Sequence, residues 1–392
     1  MRLLSLETSC CRNLADTALP FSDGVNLLIG KNAAGKTNTL ECAYYFAAGR
    51  SFRTRSEREM IKNGCDTARM TLRFAHDSDV SEFMTAAFRK DGAKGVVKRL
   101  TCGNTEVARL SEFLGNFRAV LFTPDHLSLI KGSPEERRRF LDMALAQIAP
   151  SYAVCMNRYN KLLEQKNAYL KRIVGGGTPD TTYLDTVNTL LADAAAVIVR
   201  QRTGFVGLLA GYAASYYTSL SAGHDTLEIR YLSPLRKTPF TSQEDAKTAL
   251  YRVYCEDMAS EQRLGYTFHG PHKDDLAVYI AKDGETELPD VEEETAVSRF
   301  NARSFGSQGE QRSAVLAMKL AEGEICREKT GEYPVFLLDD LLGELDRTRR
   351  EQLLSLISGR QTVITCCDID AFPPGVAAKV IHVENGNFRT ES

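Results

Sequence analysis

The sequence predicts an α/β chain, a phosphate-binding fold whose two halves are parted by a mostly helical insertion. Three observations carry that reading. Gly30-Lys31-Asn32-Ala33-Ala34-Gly35-Lys36-Thr37 fits G-x-x-x-x-G-K-[ST], after the strand-like run GVNLLIG and before a helix-forming run over 36–48. Pro334-Val335-Phe336-Leu337-Leu338-Asp339-Asp340, roughly 300 residues on, reads as a buried strand ending in two carboxylates. Between them, from Ser133 to about residue 265, helical spacing replaces short strand-like runs. The expected domains are 1–132 (first part of the phosphate-binding lobe), 133–265 (helical insertion) and 266–392 (remainder of the lobe).

Each element has its own signal. RLLSLETSCC and GVNLLIG alternate or run apolar over strand lengths, and ARMTLRFAH, AAFRKD, GVVKRLTC and FRAVLFT add four strand candidates within 69–122. Asp91-Gly92 is a hairpin turn between two of them. Ser133-Pro134-Glu135-Glu136 starts a helix with a hydroxyl cap, a proline in first position and acids at the positive dipole end. Pro150 interrupts, Ser151 offers a second cap, and Tyr152, Cys155, Tyr159, Leu162, Leu163, Lys166 and Leu170 keep helical spacing. GGGTPDTT at 175–182 is a linker before an alanine- and leucine-rich helix reaching about Gly223. DTLEIRYL reads as a strand, SQEDAKTALYRVYCEDMASEQRL as a helix, DDLAVYIAKD as a strand and GETELPDVEEE as an acidic turn or loop. Helix 309–329, strand 334–339, helix 347–358 and strand 361–366 then alternate as in a largely parallel sheet.

Composition excludes several classes. With 392 residues, 43% hydrophobic and 26% charged, the chain has the make-up of a soluble globular protein of two or three domains. No run of about eighteen apolar residues suggests a membrane span, and Glu7 breaks the short apolar N-terminus, which is wrong for a secretory signal. The ten cysteines lack C-x-x-C spacing, so reduced, mostly buried thiols in a cytoplasmic protein are expected. A net charge of −2 means that any nucleic-acid contact must come from local basic patches.

The motif residues suit phosphate chemistry. Glycines let backbone N–H groups close around phosphate oxygens at a helix N-terminus. Lys36 would reach the β- and γ-phosphates of a nucleotide such as ATP, and the Thr37 hydroxyl would ligate Mg²⁺. Lys31 and Asn32 can add donors. Asp339 suits the Mg²⁺ shell, and Asp340 suits polarising a water. Ser307-Gln308-Gly309, opening the helix at 309, is by itself an ordinary capped start, but a second anion-reading helix end has a use if it serves a nucleotide held by another subunit.

Taken in order, the phosphate loop, the Ser-x-Gly helix start, the LLDD strand and Gly343-Glu344-Leu345-Asp346 resemble the ABC-type ATPase head, a P-loop fold of mixed sheet and helices that works in pairs. That resemblance implies that Ser307, Gly309 and Asp346 act in trans. GKTNTLECAYYFAAGRSFRTRSEREMIKNG, LFTPDHLSLIKGSPEERRRFLD, YNKLLEQKNAYLK, GPHKDDL, SQGEQRS and LLDDLLGELDRTRR are more specific: over residues 25–370 they resemble the RecF recombination-mediator family. The resemblance implies an ATP-driven homodimer on DNA in recombinational repair and replication-fork maintenance, including the SOS response. It further implies slow DNA-stimulated ATP hydrolysis and partners like RecO and RecR. Ala33 stands where the family has a further glycine, Glu310 replaces its glutamine, and VITCCD lacks the histidine that transporters carry, leaving Thr365 or Cys366 there.

Arg50, Arg53, Arg55 and Arg58 crowd the segment after the first helix, while Arg137-Arg138-Arg139 and Arg347, Arg349 and Arg350 form two further clusters. Solvated helix faces are the plainer reading of such clusters. The resemblance favours Arg50, Arg53 and Arg55 as phosphate-backbone contacts that bind DNA without reading sequence. His269, His272, Asp274 and Asp275 have weak metal-ligand spacing, and a turn re-entering the phosphate-binding lobe is the plainer reading. Rival classes are a transporter ATPase subunit, opposed by SQGEQ and the missing histidine, and an SMC-type clamp head, opposed by the short, proline- and glycine-broken insertion.

Overall fold

The computed structural model describes residues 1–93, 95–221, 225–233, 235, 240–281, 301–368, 372 and 376–390. The acidic stretch expected over GETELPDVEEE lies outside them. The chain forms two compact units, one of 1–126, 219–223 and 316–392, the other of 127–218 and 224–315. The strands are β1 (Arg2–Ser9), β2 (Thr17–Pro20), β3 (Val25–Ile29), β4 (Thr67–Ala75), β5 (Ser81–Asp91), β6 (Gly95–Cys102), β7 (Thr105–Glu106) and β8 (Ala119–Phe122). They continue with β9 (Thr226–Leu232), β10 (Asp275–Ala281), β11 (Val335–Leu338), β12 (Thr362–Cys366), β13 (Ala378–Glu384) and β14 (Asn387–Thr390).

The first unit contains two sheets. One is antiparallel, in the order β2-β1-β4-β5-β6-β7, with Gly92 (φ 59°) in the expected hairpin connection. The other, β14-β13-β3-β12-β11-β8, is parallel except for its β13–β14 edge. Its central strands VNLLI, VFLL and TVITC are almost wholly buried, as expected for parallel strands covered on both faces. The order places β12 between β3 and β11, so the C-terminal ends of all three meet at one edge.

The second unit is mostly helical. Pro134–Ile148 begins at the expected Ser133 cap with proline in first position, and Ser133 and Glu136 form a capping box. The helical run breaks at Pro150 as expected, but Ala149 rather than Ser151 caps the next helix, Pro150–Val174, and Ser151 lies inside it. Proline suits the first helical position because its missing N–H has no partner there. Helix Thr181–Leu220 buries Leu184, Leu191, Ala195, Ile198, Leu209, Ala213 and Tyr217 at 3.6-residue spacing. This 40-residue helix is long and apolar enough to cross a bilayer. Buried Arg202 within it instead donates to Tyr152 Oη (2.9 Å), Asp142 Oδ1 (2.7 Å) and the Pro271 carbonyl (2.7 Å), marking a core helix.

Two expectations are corrected here. Of the described residues, 266–281 and 301–315 cluster with the helical unit rather than with the lobe expected from 266 onward, and β10 pairs antiparallel with β9 along all seven residues. Cys10 and Cys65 are joined as a disulfide (Cα–Cα 6.3 Å), while the other eight cysteines are free. The backbone brings them together: Lys62 N donates to Cys10 O at 2.8 Å, and Cys11 bridges Ile61.

The GPHKDDL stretch knots the helical unit. Gly270 has φ 128°, and a Cβ there would collide with the Tyr159 and Tyr254 hydroxyls. His272 Nδ1 meets Tyr159 Oη at 2.6 Å, Asp274 accepts from Tyr231, and Arg137 grips Asp275 at 2.7 and 2.8 Å. His269 instead meets Asp257, so these side chains have separate partners and form no metal cluster among the described residues.

This knot has opposed pH dependences. Burial lifts Asp274 to about 6 from 3.8, so the stability it contributes is present below pH 4 and lost as pH rises through 6. Burial lowers His272 to about 4 from 6.5, so its contribution is present above pH 6.5 and lost as pH falls through 4. Each amounts to roughly a few kcal/mol, and the two run in opposite directions between pH 4 and 6.5. In denaturant titrations, His272→Gln should lose stability relative to the parent as pH rises from 4 to 6, and Asp274→Asn as pH falls from 6.5 to 4. Parallel pH profiles for parent and both variants would contradict this.

Candidate functional site

The site grows from the ends of β3, β11 and β12. The phosphate loop leaves β3 and opens the helix Lys36–Ala48. A Cβ on Gly30 would strike the Val383 carbonyl, and Gly35 adopts φ 119°. Ala33 also has positive φ (64°), a conformation that glycine enters freely and that costs a residue with a Cβ roughly 1–2 kcal/mol. The loop is braced from two sides. Asn13 Nδ2 donates to Ala33 O (2.9 Å), and Gly386 N donates to Ala34 O (2.8 Å). Among the described residues, the N–H groups of Asn32, Ala33 and Gly35 donate to no backbone carbonyl. Donors on alternating backbone conformations form an anion-binding concavity.

Lys36 is 4% exposed, and its Nζ donates to Gly30 O (2.6 Å) and Lys31 O (3.1 Å). Thr37 Oγ1 donates to Asp339 Oδ1 at 2.9 Å across 302 residues of sequence. Asp339 is buried, and desolvation is the main cause raising its pKa, opposed by hydrogen bonds from Thr365 and Thr37. A bound cation would favour its ionised form. Hydroxyl and carboxylate oxygens are the donors Mg²⁺ prefers, and phosphate oxygens and waters normally complete its shell, so these residues fit the ion.

Thr365, one of the two residues left where transporters carry a histidine, has a role that the sequence alone does not assign. Its buried hydroxyl donates to Asp339 Oδ1 (2.9 Å) and accepts from Asp340 N (2.8 Å). It thereby holds Asp340 at φ 47°, a left-handed turn that directs the second carboxylate. Thr365→Val keeps the shape and removes both bonds, so it should destabilise the fold by roughly 1–3 kcal/mol in chemical denaturation. An unchanged midpoint would contradict the role.

Comparison with known proteins follows the same geometry. The family profile described as RecF/RecN/SMC N terminal domain matches residues 2–371. A DNA replication and repair protein RecF from an Exiguobacterium species is 37% identical over 100% of both chains, and the one from Bacillus mycoides is 35% identical over 100% of this chain and 99% of its own. The chain belongs to the RecF family. A solved recombination mediator protein RecF with ATP, of the RecFOR pathway, superposes with TM-score 0.86 at 27% identity, covering 100% of this chain and 98% of that one. The Smc head domain from Pyrococcus furiosus shares the head fold (TM-score 0.54, 14% identity, 100% and 96% covered). The RecF-family chain thus has the ABC-type ATPase head architecture.

Other RecF-family positions find local roles. Ser307 is exposed and caps the helix Gln308–Thr330, which includes Gly309 in its first turn. Glu310 completes a capping box: its carboxylate accepts from Ser307 N (2.9 Å), and Ser307 Oγ accepts from Glu310 N (3.3 Å). Glu310→Gln keeps this box and removes a negative charge beside the helix end. If ATP drives the self-association that the family resemblance implies, Glu310→Gln should tighten it by roughly twofold to fivefold in sedimentation. Weaker association would contradict the electrostatic argument.

Asp346 caps Arg347–Leu356, accepting from Arg349 N at 2.9 Å, which lowers its pKa. Arg350 donates to Leu342 O and Leu345 O, both at 3.1 Å, and Arg347 pairs with Glu351 at 2.8 Å. Arg137 is buried on Asp275, and Arg138 donates to Asp274 O (2.8 Å), so that cluster is partly structural rather than a solvated face. Arg53 is exposed, bonded to Asn38 and 3.7 Å from buried Glu41; Arg50 and Arg55 are exposed. Arg12 also pairs with Glu41, Nε to Oε2 at 2.9 Å, tying the end of β1 to the phosphate-loop helix.

Proposed function

We propose that this chain is an ATP-switched DNA-binding protein of DNA replication and recombinational repair, acting in the cytoplasm as a homodimer with slow DNA-stimulated ATP hydrolysis. The observation that carries the reading is the 2.9 Å bond from Thr37 to Asp339, which makes one polar site of two distant motifs. In this reading Gly30 to Thr37 surround the phosphates, with Lys36 charging the terminal ones. Thr37 and Asp339 hold Mg²⁺, and Asp340 orients the attacking water. Bound Mg²⁺ supplies charge neutralisation of the phosphate oxygens.

Ser307, Gly309 and Asp346 complete the site of a second subunit. Ser307 Oγ accepts in its own capping box, which leaves its proton for an anion of the partner. Arg50, Arg53 and Arg55 contact DNA phosphates. RecF relatives are called recombination mediators of a RecFOR pathway, and RecO- and RecR-like proteins are the partners proposed at gapped DNA.

The test is binding to a gapped duplex with ATP, with ADP and without nucleotide, across a salt series. ATP should raise affinity above ADP, and affinity should fall steeply with salt. Equal affinity in all three nucleotide conditions would contradict the switch.

A further inference from the structure

The end of β12 places a thiol inside the phosphate site. Cys367 Sγ lies 2.9 Å from Asn32 Oδ1, 3.5 Å from Lys36 Nζ and 3.8 Å from Asp340 Oδ1. One S–H proton cannot serve both oxygens, and the nearer amide oxygen is its acceptor. The lysine ammonium has three donors, and here they meet two backbone carbonyls and this sulfur. Sulfur is the weakest acceptor of the three, so an arriving anion replaces it at least cost. Lys36 is buried, whereas Cys367 is the one exposed free thiol among the described residues, so the replacement occurs on the solvent side of the ammonium.

We propose that Cys367 is a positioning residue of the phosphate site: its thiol holds Asn32 and accepts from Lys36, a contact that a terminal phosphate reaching Lys36 would replace. Cys367 is consequently the position through which soft electrophiles close the site. In alkylation by iodoacetamide, sulfur forms a bond to the methylene carbon and the C–I bond breaks. Iodide leaves with the electron pair, and the thiol proton goes to solvent. The acetamide group then stands among Asn32, Lys36 and Asp340, where the terminal phosphate belongs. The inference rests on the proposed ATP site and adds the thiol's role within it.

The experiment is a timed iodoacetamide pulse on the full chain with peptide mass spectrometry, using Cys102, Cys155 and Cys255 as internal references. It is run without nucleotide, with Mg·ADP and with a slowly hydrolysed Mg·ATP analogue, while a fluorescent nucleotide reports occupancy in the same samples. The expected result is labelling of Cys367 at least tenfold slower with the ATP analogue than without nucleotide, with ADP protecting far less and the reference cysteines unchanged. Confirmed occupancy with unchanged labelling overturns the inference alone; no occupancy overturns the ATP-site reading and the inference together. A second arm compares Cys367→Thr, which retains a donor for Asn32, with Cys367→Val, which does not. Val should raise the KM for ATP roughly fivefold at unchanged kcat, and Thr should restore the parental KM. Iodoacetamide should inactivate the parent and spare the Thr variant. Equal KM for Thr and Val, or inactivation of the Thr variant, counts against the role.

Discussion

Lys36→Met is expected to cut ATP affinity and hydrolysis by about 100-fold or more while leaving the protein folded. The methionine matches the lysine in length but brings no charge to the phosphates, and removing one preorganised donor from such a site costs on the order of 100- to 1000-fold. The fold should survive because, among the described residues, Nζ bonds only to loop carbonyls and the Cys367 sulfur. Lys36→Arg should fail too, since a planar fork does not fit a cradle closed around a point charge. Fluorescent-nucleotide titration with circular dichroism checks both variants. Near-parental hydrolysis in folded Lys36→Met would refute the phosphate-loop assignment.

Asp340→Asn should separate binding from chemistry. Asp340 stands beyond Asp339 in its left-handed turn, so it can direct a water without being the primary metal ligand. Hydrolysis should fall on the order of 100-fold or more, with nucleotide affinity nearly unchanged and the ATP-bound state accumulating. Asp339→Asn should instead weaken Mg²⁺-dependent nucleotide binding, because its Oδ1 is the oxygen shared with Thr37. Single-turnover kinetics beside equilibrium titration distinguishes the two. Equal loss of binding in both variants would reject this division of labour.

The parts of the site written in contiguous residues were legible from sequence. The phosphate loop, its helix and the acid-tipped strand each follow from local pattern, and they meet as expected. The residues between them were not legible, because parallel strand order is set by long-range pairing that no local spacing encodes. Only once β12 lies between β3 and β11 do Thr365 and Cys367 become site residues. The β13–β14 hairpin carries a two-residue turn signal in Asn385-Gly386, but nothing local shows that Gly386 braces Ala34 of the phosphate loop. The placement of β10 is hidden for a related reason: DDLAVYIAKD reads as a strand, but nothing in it names β9 as its neighbour. Arg137 shows the limit of charge patterning, since a run of three arginines does not disclose that one is buried against Asp275.

We infer that two copies of this head close on ATP through Ser307. The most direct test is sedimentation velocity of the parent and Ser307→Arg, each with Mg·ATP, with Mg·ADP and without nucleotide, alongside fluorescent-nucleotide binding. The account predicts a parental dimer with ATP only and a Ser307→Arg monomer in all three conditions that still binds ATP, because arginine would enter only the partner's site. An ATP dimer of equal stability in Ser307→Arg would contradict it.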